Sequence, residues 1–125
     1  DAAVMDGYDM PIERSASAPA GEPMIVDWRP LVDAVVADRQ RGVALGIIAA
    51  RVHNALASSI VDVARSVGAV NVALSGGCFQ NRWLTEHTAA RLRSAGFNVI
   101  LHRQTPPNDG CIALGQVAVA ARLLT

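Results

Sequence analysis

Apolar residues recur at three- and four-residue steps through Leu45, Ile48, Val52, Leu56, Ile60, Val63 and Val67, with Arg51, Asp62 and Arg65 off that line. The spacing predicts an amphipathic helix over residues 43–67, closed by Gly68. Before it, Leu31, Val32, Val35 and Val36 mark a shorter helix. Asp27 is its candidate N-cap, Pro30 fits its first turn and Gly42 closes it. The period then changes. Val70-Asn71-Val72-Ala73-Leu74 ends in a continuous apolar stretch, as expected of a strand covered on both faces. Residues 79–95 return to helical spacing, with Trp83, Leu84 and Leu92 inward, Arg82, Glu86, Arg91 and Arg93 outward, and Gly96 at the end. Phe97 to His102 alternates through Val99 and Leu101 as a second strand. Gly110 to Leu124 holds no charge before Arg122, which predicts a helix with most of its surface buried.

The order is helix, helix, strand, helix, strand, helix. It implies an α/β fold in which a short parallel pair is joined by a right-handed crossover and flanked by long helices. Two parallel strands make a poor independent sheet, and the last helix is very apolar for a chain of 125 residues. Both features point to one lobe of a larger α/β protein. Residues 1–26 differ from the rest. Pro11, Pro19, Pro23, Gly7 and Gly21 surround Ser-Ala-Ser-Ala, and neither period is present. This stretch reads as a linker or variable arm that needs something to pack on, with Ile25-Val26 available as a short edge strand. Residues 27–125 form the lobe. The opening Asp1, in place of Met, fits a piece of a longer protein.

Composition narrows the classes. A hydrophobic share of 51% is enough for a real core. No apolar run reaches about 18 uncharged residues, and no basic segment precedes an apolar one, so the expectation is a cytoplasmic chain with no membrane span. Charge is lopsided. Residues 1–38 carry eight acids and two arginines, net −6, whereas residues 39–125 carry nine arginines and three acids, net +6. The basic portion suits an anionic ligand or a solvated helix face. There is no Lys, which excludes a P-loop lysine and a Schiff-base lysine. Cys78 and Cys111 lie 33 residues apart with no CxxC. They are expected to be small buried thiols packed near each other rather than a zinc knuckle or a disulfide.

Two strand ends hold the candidate chemistry. After the first strand comes Ser75-Gly76-Gly77. Two glycines let a backbone turn sharply and approach a ligand with no Cβ in the way, and the helix start that follows adds free amides. Phosphate is the natural ligand of such a turn; a tight turn with no ligand is the plain alternative. The same Leu-Ser-Gly-Gly wording occurs in transporter ATPases, but those need a Walker A lysine. A pyrophosphatase-type loop would continue toward Asp-Ser rather than Cys78-Phe79-Gln80, and no G-x-G-x-x-G is present. After the second strand comes Pro106-Pro107-Asn108-Asp109-Gly110. Asp109 stands just before a helix, either as an N-cap or as a metal ligand. One carboxylate cannot hold a metal, since such sites use three or more ligands. His102 lies seven residues back, placed to point sideways. His53 is expected to bond a neighbouring carbonyl, and His87 to face solvent. No Ser/His/Asp set has recognisable spacing.

Three segments, in order and at family spacing, resemble the C-terminal end of the HypF carbamoyltransferases, which mature nickel–iron hydrogenases. They are Arg51-Val52-His53-Asn54-Ala55-Leu56-Ala57, Val72 through Asn81, and Pro106-Pro107-Asn108-Asp109-Gly110 with Ala113-Leu114-Gly115-Gln116. The likeness runs from about Asp27 to Thr125, and the acidic, proline-rich start resembles the family's variable insertion. Val52 stands where the family has Phe. Cys78 and Cys111 stand where it more often has Val and Gly.

The resemblance implies one lobe of an actin-like, sugar-kinase-type ATPase fold related to the tRNA threonylcarbamoyl transferases. It implies ATP and carbamoyl adenylate as ligands, beside a divalent metal (zinc, iron or magnesium). Carbamoyl phosphate is the upstream carbamoyl source, and the C-terminal cysteine of HypE is the acceptor. Ser75, Gly76, Gly77 and Asn81 match the family's nucleotide-contacting loop, Asn108 lies beside it, and Asp109 matches the metal-binding aspartate. The family's metal-binding histidines belong to a His-rich motif absent here; His53 matches a family histidine to which no role is assigned. The fragment alone is expected to lack transferase activity, to need the rest of its polypeptide, and to associate with itself through exposed apolar faces. Neither a membrane nor a nucleic acid is an expected partner. The alternatives are an antibiotic O-carbamoyltransferase, a tRNA threonylcarbamoyl transferase relative, and a non-catalytic partner-docking module. The Phe-Gln-Asn and Pro-Pro-Asn-Asp-Gly wording argues most strongly against the tRNA enzyme.

Overall fold

The structure, a computed structural model, describes residues 4–13 and 23–124. The rest of the proline-rich opening segment, residues 1–3 and 14–22, lies outside the described residues, as does Thr125. The chain divides into two compact units, Asp1–Gly68 and Ala69–Thr125.

In the first unit, β1 (Ile12–Glu13) pairs antiparallel with β2 (Ile25–Val26), Ile12 opposite Val26. Two helices follow, α1 (Arg29–Gln40) and α2 (Leu45–Val67). Asp27 starts α1 from one position further out than a usual cap. Its Oδ1 accepts the Arg29 amide at 3.0 Å and the Arg29 guanidinium at 2.8 Å, while Trp28 makes no side-chain cap. The expected α2 stripe is not its buried face. Leu45 and Val67 are 66% and 63% exposed, and only Ile48 of that line is buried. The buried positions are Ile48, Ala50, Asn54, Ala55, Ala57, Ser59, Val61 and Ala64. Close approach selects small side chains here. Gly7 lies so near α2 that a Cβ on it would sit 2.8 Å from the Ala55 amide nitrogen. Asn54 donates through Nδ2 to the carbonyls of Val4 and Asp6, each at 2.9 Å.

Asp38 of α1 is buried and held on several sides. The Tyr8 hydroxyl donates to it at 2.6 Å, Arg51 of α2 donates at 2.7 Å, and Arg41 pairs with it as well. Arg51 also reaches Asp6 at 2.9 Å. The Tyr8 hydroxyl, then the arginines, hold the Asp38 carboxyl down at about 2, against the pull of burial. In length and composition α2 passes for a membrane span. Arg51, near its N-terminal end, is paired with Asp38 of α1 at 2.7 Å.

In the second unit, β3 (Asn71–Leu74) and β4 (Asn98–Leu101) run parallel, with Leu74 opposite Leu101, and α3 (Arg82–Ser94) lies between them in sequence. This is the expected α/β pair. Leu74, Leu84, Thr88, Ala89 and Leu92 are buried. Three other expectations fail. The last helix, α4 (Ile112–Leu123), is exposed along its whole length, because an apolar sequence is buried only where another apolar surface meets it, and no described residue does so. Cys78 is exposed and both cysteines are free. His87 is half-buried rather than turned out to solvent. Its ring stacks on Trp83 with centroids 4.5 Å apart, and its Nε2 is buried with no partner among the described residues. Burial, and then the Arg91 charge, push the His87 pKa down. His53 behaves as expected, with Nδ1 2.7 Å from the Ala49 carbonyl oxygen.

Candidate functional site

The site is built at the C-terminal ends of β3 and β4, where open α/β sheets hold their ligands. Beyond Leu74 the chain passes through Ser75 into Gly76, at φ 102° and ψ 158°. Only glycine enters that region without strain. A single 3-10 turn follows over Gly77–Gln80, then α3. Gly77 differs from Gly76. Its φ is not positive, and a Cβ on either glycine would meet nothing within 4 Å. The backbone conformation requires glycine at 76 and does not require it at 77.

Asn81 caps α3, its Oδ1 accepting the Leu84 amide at 3.1 Å. The Thr85 hydroxyl stitches the turn to the helix by donating to the carbonyls of Phe79 and Asn81, at 2.8 and 3.0 Å. Across the sheet, Asn108 caps the 3-10 turn Asp109–Cys111 by accepting the Gly110 amide at 3.0 Å. Asp109 is therefore the first residue of that turn rather than its cap, and it is exposed.

The structure also brings in a residue that sequence spacing leaves aside. His102 is not turned away from the site. Its Nε2 lies 2.9 Å from Ser75 Oγ and its Nδ1 3.1 Å from Thr105 Oγ1. The signal was in the register. Leu74 pairs with Leu101, so the next residue of each strand, Ser75 and His102, falls opposite the other about 4.8 Å away.

Beside this pair lies a cavity of about 90 Å3 lined by Ala73, Leu74, Ile100, Leu101 and His102. Ligand pockets measure roughly 300–1,000 Å3, so this hollow alone is too small to be one. The glycine turn fits a phosphate, since the space over Gly76 and Gly77 is open and the first amides of a helical turn lack internal partners. A metal does not fit the described residues alone. Asp109 offers one carboxylate, and no three His, Cys, Asp or Glu side chains converge among the described residues.

Residues 2–116 match the family model for the carbamoyltransferase Kae1-like domain, second subdomain. The chain belongs to the HypF carbamoyltransferase family. Among its HypF relatives, the carbamoyltransferase HypF of Synechocystis is 43% identical over 95 residues, 75% of this chain and 12% of that protein. Carbamoyltransferase HypF2 of Cupriavidus necator is 38% identical over 95 residues, 76% of this chain and 12% of its own length. The crystal structure of full-length HypF in its phosphate- and nucleotide-bound form matches over 96% of this chain and 16% of its own, with TM-score 0.83 and 28% identity. The chain thus spans about an eighth of the curated HypF proteins that it matches.

Proposed function

We propose that the strand-end turn Ser75-Gly76-Gly77, with Asn81, Asn108 and Asp109, is one wall of the nucleotide site of a HypF-type carbamoyltransferase, on one lobe of an actin-like ATPase fold. The observation that carries this reading is Gly77. Its backbone does not need glycine and a Cβ there would meet nothing within 4 Å, which is equally true of Gly46 and Gly115 inside helices. Of the three, only Gly77 stands at a strand end, where a bare backbone leaves room for a ligand. The ligand is ATP or carbamoyl adenylate. Amides of the turn meet its phosphate oxygens, and the net +6 of residues 39–125 favours an anion.

The carbamoyl group comes from carbamoyl phosphate through other parts of the polypeptide. The acceptor is the C-terminal cysteine of HypE, whose sulfur bonds the carbamoyl carbon as AMP leaves. Asp109 supplies one ligand to a divalent cation, and the remaining ligands come from elsewhere in the full-length protein. The reaction belongs in the cytoplasm, with neither membrane nor nucleic acid as partner. A lone chain holds one wall of the cleft, so it lacks transfer activity, and its uncovered α4 drives self-association.

Calorimetry with ATP, with and without a divalent metal, tests this on the chain and on the full-length protein. Metal-dependent binding by the full-length protein, with little by the chain, is the expected result. Absence of binding by both would overturn the nucleotide site and favour a partner-docking module. Asp109→Ala in the full-length enzyme abolishes carbamoyl transfer if the proposal holds and leaves it intact if the lobe only docks a partner.

A further inference from the structure

We infer that His102 is a positioning residue that presents the Ser75 hydroxyl to an anionic oxygen of the ligand and ties together the two loops of the site. The inference rests on the nucleotide-site reading above and adds a residue that the reading does not use.

The geometry is specific. His102 directly follows β4, Ser75 directly follows β3, and Thr105 lies in the loop leading to Asn108 and Asp109. One imidazole therefore joins the glycine turn to the proline loop through two contacts of normal hydrogen-bond length, 2.9 Å to Ser75 Oγ and 3.1 Å to Thr105 Oγ1. A neutral imidazole has one donor nitrogen and one acceptor. When Nε2–H donates to Ser75 Oγ, the Thr105 hydroxyl donates to Nδ1. The Ser75 proton is then not needed inside the protein and is available to a ligand oxygen. In the other tautomer Ser75 donates to Nε2 and its proton is lost to the ligand. An acceptor atom above the turn, such as a phosphate oxygen, favours the first arrangement, so ligand binding and the Thr105–His102–Ser75 chain reinforce each other.

His102 and Ser75 are both exposed. Exposed side chains ordinarily gain little by holding one geometry, and this chain is satisfied only where both strand ends are in register. A plain loop-tying role would make Nδ1 and Nε2 equally important. Positioning of Ser75 makes Nε2 the one that matters for binding.

Isosteres separate the two nitrogens. In the full-length protein, His102→Gln places an amide near Nε2, and His102→Asn places one near Nδ1. ATP affinity is read by calorimetry for these variants, for His102→Ala, for Ser75→Ala and for the double variant, with melting temperature measured alongside. The expected result is a loss of about tenfold for His102→Ala and for Ser75→Ala. The double variant loses no more than either single one. His102→Gln recovers most of the affinity and His102→Asn does not. If His102→Ala binds as the unsubstituted protein does, the inference falls and the nucleotide site stands. Additive losses, an unaffected Ser75→Ala, or equal behaviour of Gln and Asn would each overturn it as well. No ATP binding by the unsubstituted protein removes the site reading and this inference together.

Discussion

Alanine at Gly76 and alanine at Gly77 separate folding from binding, one residue apart. At Gly76, φ 102° and ψ 158° lie where a side chain is strained, at a cost on the order of 1–3 kcal/mol. At Gly77 the φ is not positive and the added methyl meets no atom within 4 Å. Alanine there narrows the unfolded ensemble without a native-state clash, which stabilises by about 0.4–1 kcal/mol. The two substitutions thus carry opposite signs, with a gap on the order of 1.5–4 kcal/mol. At about 4–8 °C per kcal/mol for a domain of roughly a hundred residues, the melting temperatures should differ by at least about 6 °C. Binding should follow a different order. The Gly77→Ala methyl occupies the open space above the turn and should lower ATP affinity about tenfold or more in the full-length protein, even though that variant is the better folded. Melting curves and calorimetry on both variants are sufficient. A Gly77→Ala protein that binds ATP as tightly as its parent would refute the argument that glycine is there for a ligand's approach.

Other outcomes follow from burial and charge. Leu92 is fully buried, so Leu92→Ala should cost about 2–5 kcal/mol in chemical denaturation. Asp38 is held at about 2 against an ordinary value of 3.8. Its pairing therefore stabilises fully above the ordinary value and fades as pH falls from there through about 2; Asp38→Asn should flatten the stability profile in that acid window. His87 has the opposite chemistry. Burial favours its neutral ring, so stability should decline as pH drops below the ordinary 6.5, and His87→Phe should remove that slope.

The parts of the fold legible in sequence were those decided by local pattern. The β3–α3–β4 order, the parallel pairing and the helix ends near Gly42, Gly68 and Gly96 all follow from period and punctuation. What failed depended on neighbours. A helical wheel weighs Leu45 and Val67 above Ala50, Ala57 and Ala64, yet the small residues are the buried ones, since an interior position is set by how closely the next segment approaches. Composition marked α4 for burial without showing whether any described surface would cover it. His87 looked polar among polar neighbours, and Trp83 one turn earlier supplied a ring to stack on. At the site, Ser75, the glycine turn and Asp109 were visible as motif residues. His102 was not, because its role comes from register across two strands rather than from spacing along one.

The crossing of Gly7 over α2 bears on where this polypeptide can be cut or spliced. Segment 4–8 lies on a backbone-to-backbone contact at Ala55, caps the Asn54 amide with two carbonyls, and supplies Tyr8 and Asp6 to Asp38 and Arg51. A version trimmed to begin at residue 27 would expose Asn54, which is 1% accessible, and leave Asp38 with its arginines alone. Expression trials and domain swaps that treat the proline-rich opening as a dispensable leader would remove part of the first unit's interior. The safer junction lies ahead of Val4, so that the Val4 and Asp6 carbonyls, Gly7 and Tyr8 are all kept.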